Sequence, residues 1–482
     1  MKLISNSMIY FSGSIISKLL SLLSLPFLTA ALSPEEYGVV AMLILVGAFV
    51  SSFLSLGLGT SIGEMYFSKQ DFFHRSSVLT TGFLVILGTH IVYCILIWVV
   101  GEKISEVVFH SKSYVYVSVM MLLGQAVQNM VFPLQLKVQF EEKFKIAALA
   151  MVLSAIVLLG MILFLVVVEE RGLNGYGEGM LIGAIAQLLI YLVLVRLDYS
   201  AKKMLMAVDL IKKGWPMILS FLFLFVIQNG VRIPIEWYGG LAIVGLYQVG
   251  ASLAAPMGMV TTAFINAWTP YALGFSSRPD DAPESLGAVT RLYIVIMGII
   301  VILIFVLAPF LAKILTAEKY FEAYYVIGLG ALWHYFSSIF LMLLPPVYFA
   351  NEVARTVVRV QAVTVVVFCA ICIPLINVDP LMGAAGSVAL AGFVLVFSQL
   401  IWNKVLRAHQ YVQIHYDIWS IVMLILIPLG GILVLFVDIF VGYIESVLLG
   451  TAMIALLVCV VFASPLVSQL IKELQLKIVR LK

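Results

Sequence analysis

Few side chains in this sequence could do chemistry, and two of them are cations placed where a cation is costly. Lys18 sits in "SIISKLLSLLSLPF" (14–27), an apolar run with serines on both sides and no carboxylate within a turn or two. At 100° per residue, Tyr10, Ser14, Ser17, Lys18 and Ser21 fall within about 100° of one another, so a helix here carries the lysine on a continuous polar stripe. Arg232 repeats the pattern: Gln228, Asn229, Arg232 and Glu236 follow i, i+1, i+4, i+8 spacing between Trp215 and Trp237, which stand where two aromatic belts would. An amine or guanidinium held in this way binds anions.

Each cation also has a bland reading. Lys18 could snorkel, but it lies roughly 18 to 21 Å from either end of its run, and its stem reaches only about 6 Å. Burial costs on the order of 2.5–3.5 kcal/mol, which makes intramembrane ionisable residues functional candidates by default. Arg232 lies about 7.5 Å below its nearer tryptophan at 1.5 Å per residue, so snorkelling, pairing with Glu236 and a cavity role all stay open. Pro234 removes a backbone donor and is expected to kink the helix, as in transporter helices that line a cavity.

The remaining interior polar groups are mostly amides. Gln125, Gln128 and Asn129 share one helix face, Gln187 stands in the sixth span and Gln248 and Asn266 in the eighth, each fit for an interhelical hydrogen bond or for a ligand. His90 and His334 lie deep in apolar runs and, with Glu236, are the candidates for carrying a coupling proton; a neutral, hydrogen-bonded histidine is the alternative. The first six spans hold no carboxylate well inside them, and Glu64, Glu236, Asp438 and Glu445 all fall near span ends. At ~4 Å and an effective dielectric of ~20, a cation and a phosphate charge attract by about 4 kcal/mol, enough to offset burial of the lysine. The interior therefore favours an anion over a cationic drug.

Cys94, Cys369, Cys372 and Cys459 all lie in apolar runs, where thiols behave as small hydrophobes, so redox chemistry and a metal site are not expected. No nucleotide, zinc, calcium or hydrolase motif is present, no cofactor is expected, and nothing points to a nucleic-acid partner. "GLGTSIG" (57–63) contains G-x-x-x-G, a spacing for close helix packing.

The elements that must position these residues follow from composition. The 482 residues are 63% hydrophobic and 11% charged with a mean hydropathy of +1.13, a balance that a soluble domain of this size cannot keep in solution. The fold class is an all-α polytopic membrane protein of about fourteen spans, running from 6–32, 37–63 and 76–100 to 418–440 and 443–468. The first run passes 25 residues without a small-residue cleavage site and reads as a retained span. Lys137, Lys143, Lys145, Lys202, Lys203, Lys212 and Lys213 fall on one side, against Lys103, Lys112, Arg171, Lys313 and Lys319 on the other, which puts both termini in the cytoplasm. The polar connection 196–214 separates a lobe of six spans (1–200) from a second (201–410), followed by a helix pair and cytoplasmic tail (411–482). "EYGVVA" (36–41) and "LYQVGA" (246–251) are a faint parallel echo between the lobes. Every outer connection is short, so no external catalytic domain is expected.

Three stretches carry a resemblance: "LSPEEYG" (32–38), "VGLYQVGA" (244–251) and "AFINAWTPY" (263–271) are similar to segments of the Wzx-type oligosaccharide-lipid flippases of the multidrug/oligosaccharidyl-lipid/polysaccharide (MOP) exporter superfamily. The resemblance implies a bacterial inner-membrane protein that is not an enzyme and that moves undecaprenyl-pyrophosphate-linked repeat units, of O-antigen or a related polysaccharide, by alternating access between two six-helix lobes with a basic central cavity. Lys18 falls where such proteins place a cavity cation. On this resemblance Lys18 and Arg232 hold the pyrophosphate, while Ser14, Ser17, Ser21, Gln125, Gln128, Asn129, Gln228, Asn229 and Asn266 line the polar cavity. Membrane lipids, a polysaccharide polymerase and a chain-length regulator are the implied partners, with a proton or sodium gradient as the drive. Spans 13 and 14 depart from the twelve of many members and are similar to the extra pair of the lipid II flippases. The rivals are an ion-coupled drug exporter, which needs a buried acid, and a membrane-embedded polymerase or ligase, which needs a large outer loop.

Overall fold

Apolar runs bounded by capping and turn residues fold as helices throughout the chain. The computed structural model describes residues 2–55, 57–68, 71–195, 204–215, 218–274, 282–344, 353–407 and 418–462, and no strand occurs among them. The helices are α1 (Lys2–Ala31), α2 (Pro34–Leu54), α3 (Leu58–Ser68), α4 (Phe72–Phe109), α5 (Val115–Asn129), α6 (Phe132–Phe140), α7 (Phe144–Leu163), α8 (Gly172–Leu194) and α9 (Met204–Gly214). They continue as α10 (Ile218–Asn229), α11 (Arg232–Ala254), α12 (Pro256–Leu273), α13 (Ala282–Leu315), α14 (Tyr324–Met342), α15 (Val353–Val378), α16 (Pro380–Arg407), α17 (Ile418–Phe440) and α18 (Tyr443–Phe462).

The residues that start and stop these helices do so for identifiable reasons. In "LSPEEYG" the Ser33 hydroxyl accepts from the Glu36 backbone N–H at 3.2 Å, while the Glu36 carboxylate accepts from the Ser33 N–H at 2.8 Å, a reciprocal cap completed by Pro34 in the first turn. Such caps contribute about 1 kcal/mol. Asp71 caps α4 by accepting from the His74 N–H at 2.9 Å. The second predicted span, 37–63, is divided: α2 ends at Leu54 and α3 starts as a separate helix at Leu58. The kink expected at Pro234 falls earlier, at residues 230–231, and Pro234 sits in the first turn of α11. The first N–H groups of a helix have no intrahelical acceptor, so a proline costs little there.

Thirteen stretches among the described residues are long and apolar enough to cross a bilayer. One of them, Phe221–Thr269, is 49 residues long, about 73 Å at 1.5 Å per residue and over twice the ~30 Å hydrocarbon layer. Gly240 interrupts it with φ 75°, a conformation that glycine adopts without a Cβ penalty. The stretch therefore supplies two crossings, and the total is the fourteen that hydropathy indicates.

Two compact units divide the chain: Met1–Gln248 with Ile314–Tyr320, and Val249–Lys313 with Phe321–Lys482. The boundaries expected at 200/201 and 410/411, and the tail, lie outside the described residues. In the first unit α1 packs on α7, α7 and α5 pack on α8, and α4 packs on α5. A Cβ on Gly13 would lie 2.8 Å from the Ala148 Cα, which shows how closely α1 and α7 approach. Helix α9 lays Leu210 and Met206 against Ile62, Tyr66 and Leu79 of α3 and α4, and Lys213 pairs with Glu64. Residues 314–320 dock on the end of α1: the Ala317 N–H donates to the Thr29 hydroxyl at 3.0 Å, Lys319 to the Ala30 carbonyl at 3.2 Å, and the Tyr320 hydroxyl to the Leu32 carbonyl at 3.0 Å. In the second unit α16 packs on both α14 and α15, α12 packs on α14, and α17 on α18.

Candidate functional site

Within the first unit, α2, α3, α4, α5, α6, α8 and α10 line a cavity of about 820 Å³. Its polar lining is neutral. Gln125, Gln128 and Asn129 come from α5, Gln135 from α6, Gln187 from α8, Gln228 from α10, Ser51, Ser52 and Ser55 from α2 and its end, and His90 from α4. Phe132, Phe221 and Phe225 supply aromatic faces. No Lys, Arg, Asp or Glu is among the lining residues that the structure describes.

Some of these groups hold helices together and others are free. Gln125 donates through Nε2 to the Leu43 carbonyl at 3.0 Å, and Asn129 donates through Nδ2 to the Ser51 hydroxyl at 2.7 Å, so α5 is tied to α2 at two levels. The Ser52 hydroxyl donates to the Ala48 carbonyl of its own helix at 2.8 Å, which leaves its lone pairs as acceptors. Gln128, Gln135 and Gln228 have no side-chain partner among the described residues. His90 is 1% exposed; its Nδ1 lies 2.9 Å from the Ile86 carbonyl, and its Nε2 is buried without a partner. The carbonyl oxygen of Gln187 is likewise buried and unpartnered.

The two intramembrane cations stand apart from this cavity. Lys18 is exposed on α1 and has no side-chain partner among the described residues. It lies about 140° around the helix from Gly13, the point of closest approach to α7. Ser17 donates to the Gly13 carbonyl at 2.9 Å, and Ser14 is half-buried and Ser21 exposed on the same helix. Arg232 is only 6% exposed; its Nη1 donates to the Ala41 carbonyl of α2 at 3.5 Å, its Nε is unpartnered, and it forms no ion pair with Glu236. What brings Arg232 to α2 is a close helix crossing. A Cβ on Gly38 would lie 1.9 Å from the Leu241 carbonyl oxygen, and one on Gly245 would lie 2.0 Å from the Pro34 carbonyl oxygen. The echoed segments 36–41 and 246–251 thus flank one packing contact.

Of the other sequence-predicted residues, Asn229 and Glu236 are half-buried near Arg232 and outside the cavity lining. Asn266 is exposed on α12 of the second unit, where His334 packs its ring against Gly258. All four cysteines are free, and no group of three His, Cys, Asp or Glu fit to hold a metal occurs among the described residues. A charged cluster at the end of α6 completes the first unit: Glu141 accepts from buried Lys137 and from Lys143 at 2.7 Å each. Burial pushes the Glu141 carboxyl up, but the two ammonium hydrogen bonds outweigh it and hold the group below its ordinary value.

The sequence profile of the family described as "Polysaccharide biosynthesis protein" matches residues 3–274, more than half of the chain. The chain belongs to the polysaccharide biosynthesis protein family. That family is part of the MOP superfamily. A comparison with curated proteins gives no match. Among solved structures, this family member is similar to the lipid II flippase MurJ in an inward closed conformation, with TM-score 0.65 and 14% identity over 95% of this chain and 99% of that one. It is also similar to an inward-facing multidrug resistance MATE transporter of the MOP superfamily, with TM-score 0.59 and 13% identity over 83% and 99% of the two chains. A MATE in the straight conformation gives TM-score 0.60 and 14% identity over 84% and 96%. At these identities the likeness is one of fold.

Gln125, Gln128, Asn129, Gln228 and His90 are all candidates from the sequence, and the structure brings the five to one cavity. Gln187, an interior amide in the sequence, joins them, and Gln135, Ser51, Ser52, Ser55 and the three phenylalanines are lining residues that the sequence does not single out. The signal was present in part: Gln125, Gln128 and Gln135 stand at i, i+3 and i+10, one face of a helix, and "SSFLS" (51–55) closes an otherwise apolar run.

Proposed function

We propose that this protein translocates an undecaprenyl-pyrophosphate-linked oligosaccharide across the bacterial inner membrane by alternating access, as a flippase of the Wzx type. The observation that carries this reading is the polar cavity of the first unit, with its amides, hydroxyls and aromatic residues and with no carboxylate among the described lining residues. A desolvated cationic drug needs a counter-charge that this lining does not offer, whereas sugar hydroxyls need the donors and acceptors it does offer. Hydrocarbon excludes a polar head group unless its hydrogen bonds are replaced, so a path lined in this way lowers the barrier while the polyprenyl tail stays in lipid.

In this reading Lys18 meets the diphosphate. Its amine gives up no partner among the described residues when it does so. Arg232 is the second diphosphate contact and must first be uncovered from α2. No covalent bond changes in the cycle.

The test is a deletion strain complemented with the wild-type chain, scored for surface polysaccharide, for lipid-linked oligosaccharide in the inner leaflet and for sensitivity to cationic drugs. The expected result is loss of polysaccharide with accumulation of the lipid-linked precursor and unchanged drug sensitivity. Normal polysaccharide with raised drug sensitivity would replace this reading with a drug exporter, and purified protein that lengthened glycan chains would replace it with an enzyme.

A further inference from the structure

The cavity is lined by two residues, His90 and Gln187, that each hold a buried acceptor with no partner among the described residues. His90 Nδ1 lies 2.9 Å from the Ile86 carbonyl. A carbonyl can only accept, so Nδ1 carries the proton, and the neutral ring is left with a bare lone pair on Nε2. That atom is buried with no partner, as is Oε1 of Gln187, and both residues line the same cavity from different helices, α4 and α8. A buried acceptor without a donor costs roughly 1–3 kcal/mol, so two in one cavity call for an explanation.

We propose that His90 Nε2 and Gln187 Oε1 form the acceptor end of a subsite for an uncharged sugar of the transported glycan, and that they help to set which sugar is accepted. The proposal rests on the flippase reading and adds to it the chemistry of the ligand at this position. A diphosphate offers only acceptors and negative charge, and would be repelled by the two lone pairs. A compact cation would meet two neutral acceptors and no counter-charge. A sugar hydroxyl or an N-acetyl N–H supplies the missing donor. The ring faces of Phe132, Phe221 and Phe225 suit the apolar C–H face of a pyranose, and the volume is that of a small-ligand site. Gln128 and Gln228 have free amides within the same lining to complete the hydrogen bonding.

Saturation-transfer NMR reads weak binding directly, and the full-length protein in lipid nanodiscs is the sample. The probes are methyl glucoside, methyl galactoside, methyl rhamnoside, methyl N-acetylglucosaminide and methyl N-acetylgalactosaminide, with choline as the cationic control. The expected result is saturation transfer to at least one glycoside and none to choline. Gln187→Leu and His90→Phe should each weaken the glycoside signal about tenfold, the loss of one well-made hydrogen bond. Thermal unfolding of Gln187→Leu without sugar should match or exceed that of the parent, because the deleted oxygen has no partner among the described residues. A purely structural amide would instead lower thermal stability and leave glycoside binding alone. The inference is overturned if no glycoside is saturated, if choline is saturated as strongly, or if both variants bind as the parent does. A parallel arm with sugar-free undecaprenyl diphosphate separates the two levels: binding there without any glycoside signal sinks the subsite and spares the flippase, while a glycoside signal without lipid binding does the reverse.

Discussion

On α1 the ammonium of Lys18 stands exposed, turned about 140° from the contact with α7, whereas at the α2–α11 crossing the guanidinium of Arg232 is covered and donates one long hydrogen bond to a backbone carbonyl. The difference comes from the neighbouring helix and not from the charge. Gly38 and Gly245 let two backbones meet, and whatever projects beside that contact is buried. Gly13 does the same for α1 and α7, but Lys18 projects from the other side of its helix. An exposed cation can meet a mobile anion without surrendering any bond. A covered one has to be released first, and until then it is a desolvated charge with little to offset its cost.

Substitutions at four positions break or sharpen this contrast. The largest effect is expected for Lys18→Ala, which should abolish surface polysaccharide at normal expression, while Lys18→Arg should largely preserve it; an active alanine variant would leave the exposed cation without a role. Next, Gly38→Val forces side-chain atoms onto the Leu241 carbonyl oxygen and should cost about 3 kcal/mol, seen as a clear fall in the thermal transition on size-exclusion chromatography. If the crossing tolerates valine, it does not explain the burial of Arg232. Arg232→Met replaces an unpaired buried charge by an apolar chain of similar length, so thermal stability should stay level or rise by about 1 kcal/mol while polysaccharide export falls. A fall in stability would show the guanidinium to be a structural bond.

The smallest effect concerns Glu141, whose folded-state carboxyl titrates below its ordinary value. A depressed carboxylate stabilises fully above its unfolded pKa of about 4.5, and the contribution is lost as pH falls through the lower folded value. Glu141→Gln should therefore cost about 1 kcal/mol at pH 7, with the gap to the parent closing as the pH is lowered below that value, followed by thermal unfolding against pH. It is the control in which a buried lysine, Lys137, does have its carboxylate.

The spans were legible because length and apolarity alone decide them, and the start of α2 could be read from "SPEE" because a capping box is local chemistry. The division between α2 and α3 was hidden, since "LSLGLG" is apolar on both sides of it and hydropathy does not register backbone angle. Pro234 gave the right message at the wrong place: a proline marks a disturbed helix, but which turn absorbs it depends on where the helix begins. At the site, Gln125 and Asn129 stood out as interior amides, yet their partners Leu43 and Ser51 are some eighty residues away, and no local pattern announces that convergence. The bare acceptors of His90 and Gln187 were beyond the sequence for the same reason, because a missing partner is visible only once every neighbour is in place.

The short segment 314–320 completes the first unit although the chain on either side of it belongs to the second. The ribosome, adding on the order of 5–20 residues per second, thus finishes the helices of that unit well before it delivers their last piece. Until Tyr320 emerges, the end of α1 waits with the Thr29 hydroxyl and the carbonyls of Ala30 and Leu32 unclaimed by this segment. Maturation of the first half is for that reason tied to synthesis of the second, and a gene cut between the lobes would yield an amino-terminal fragment lacking its own final seam.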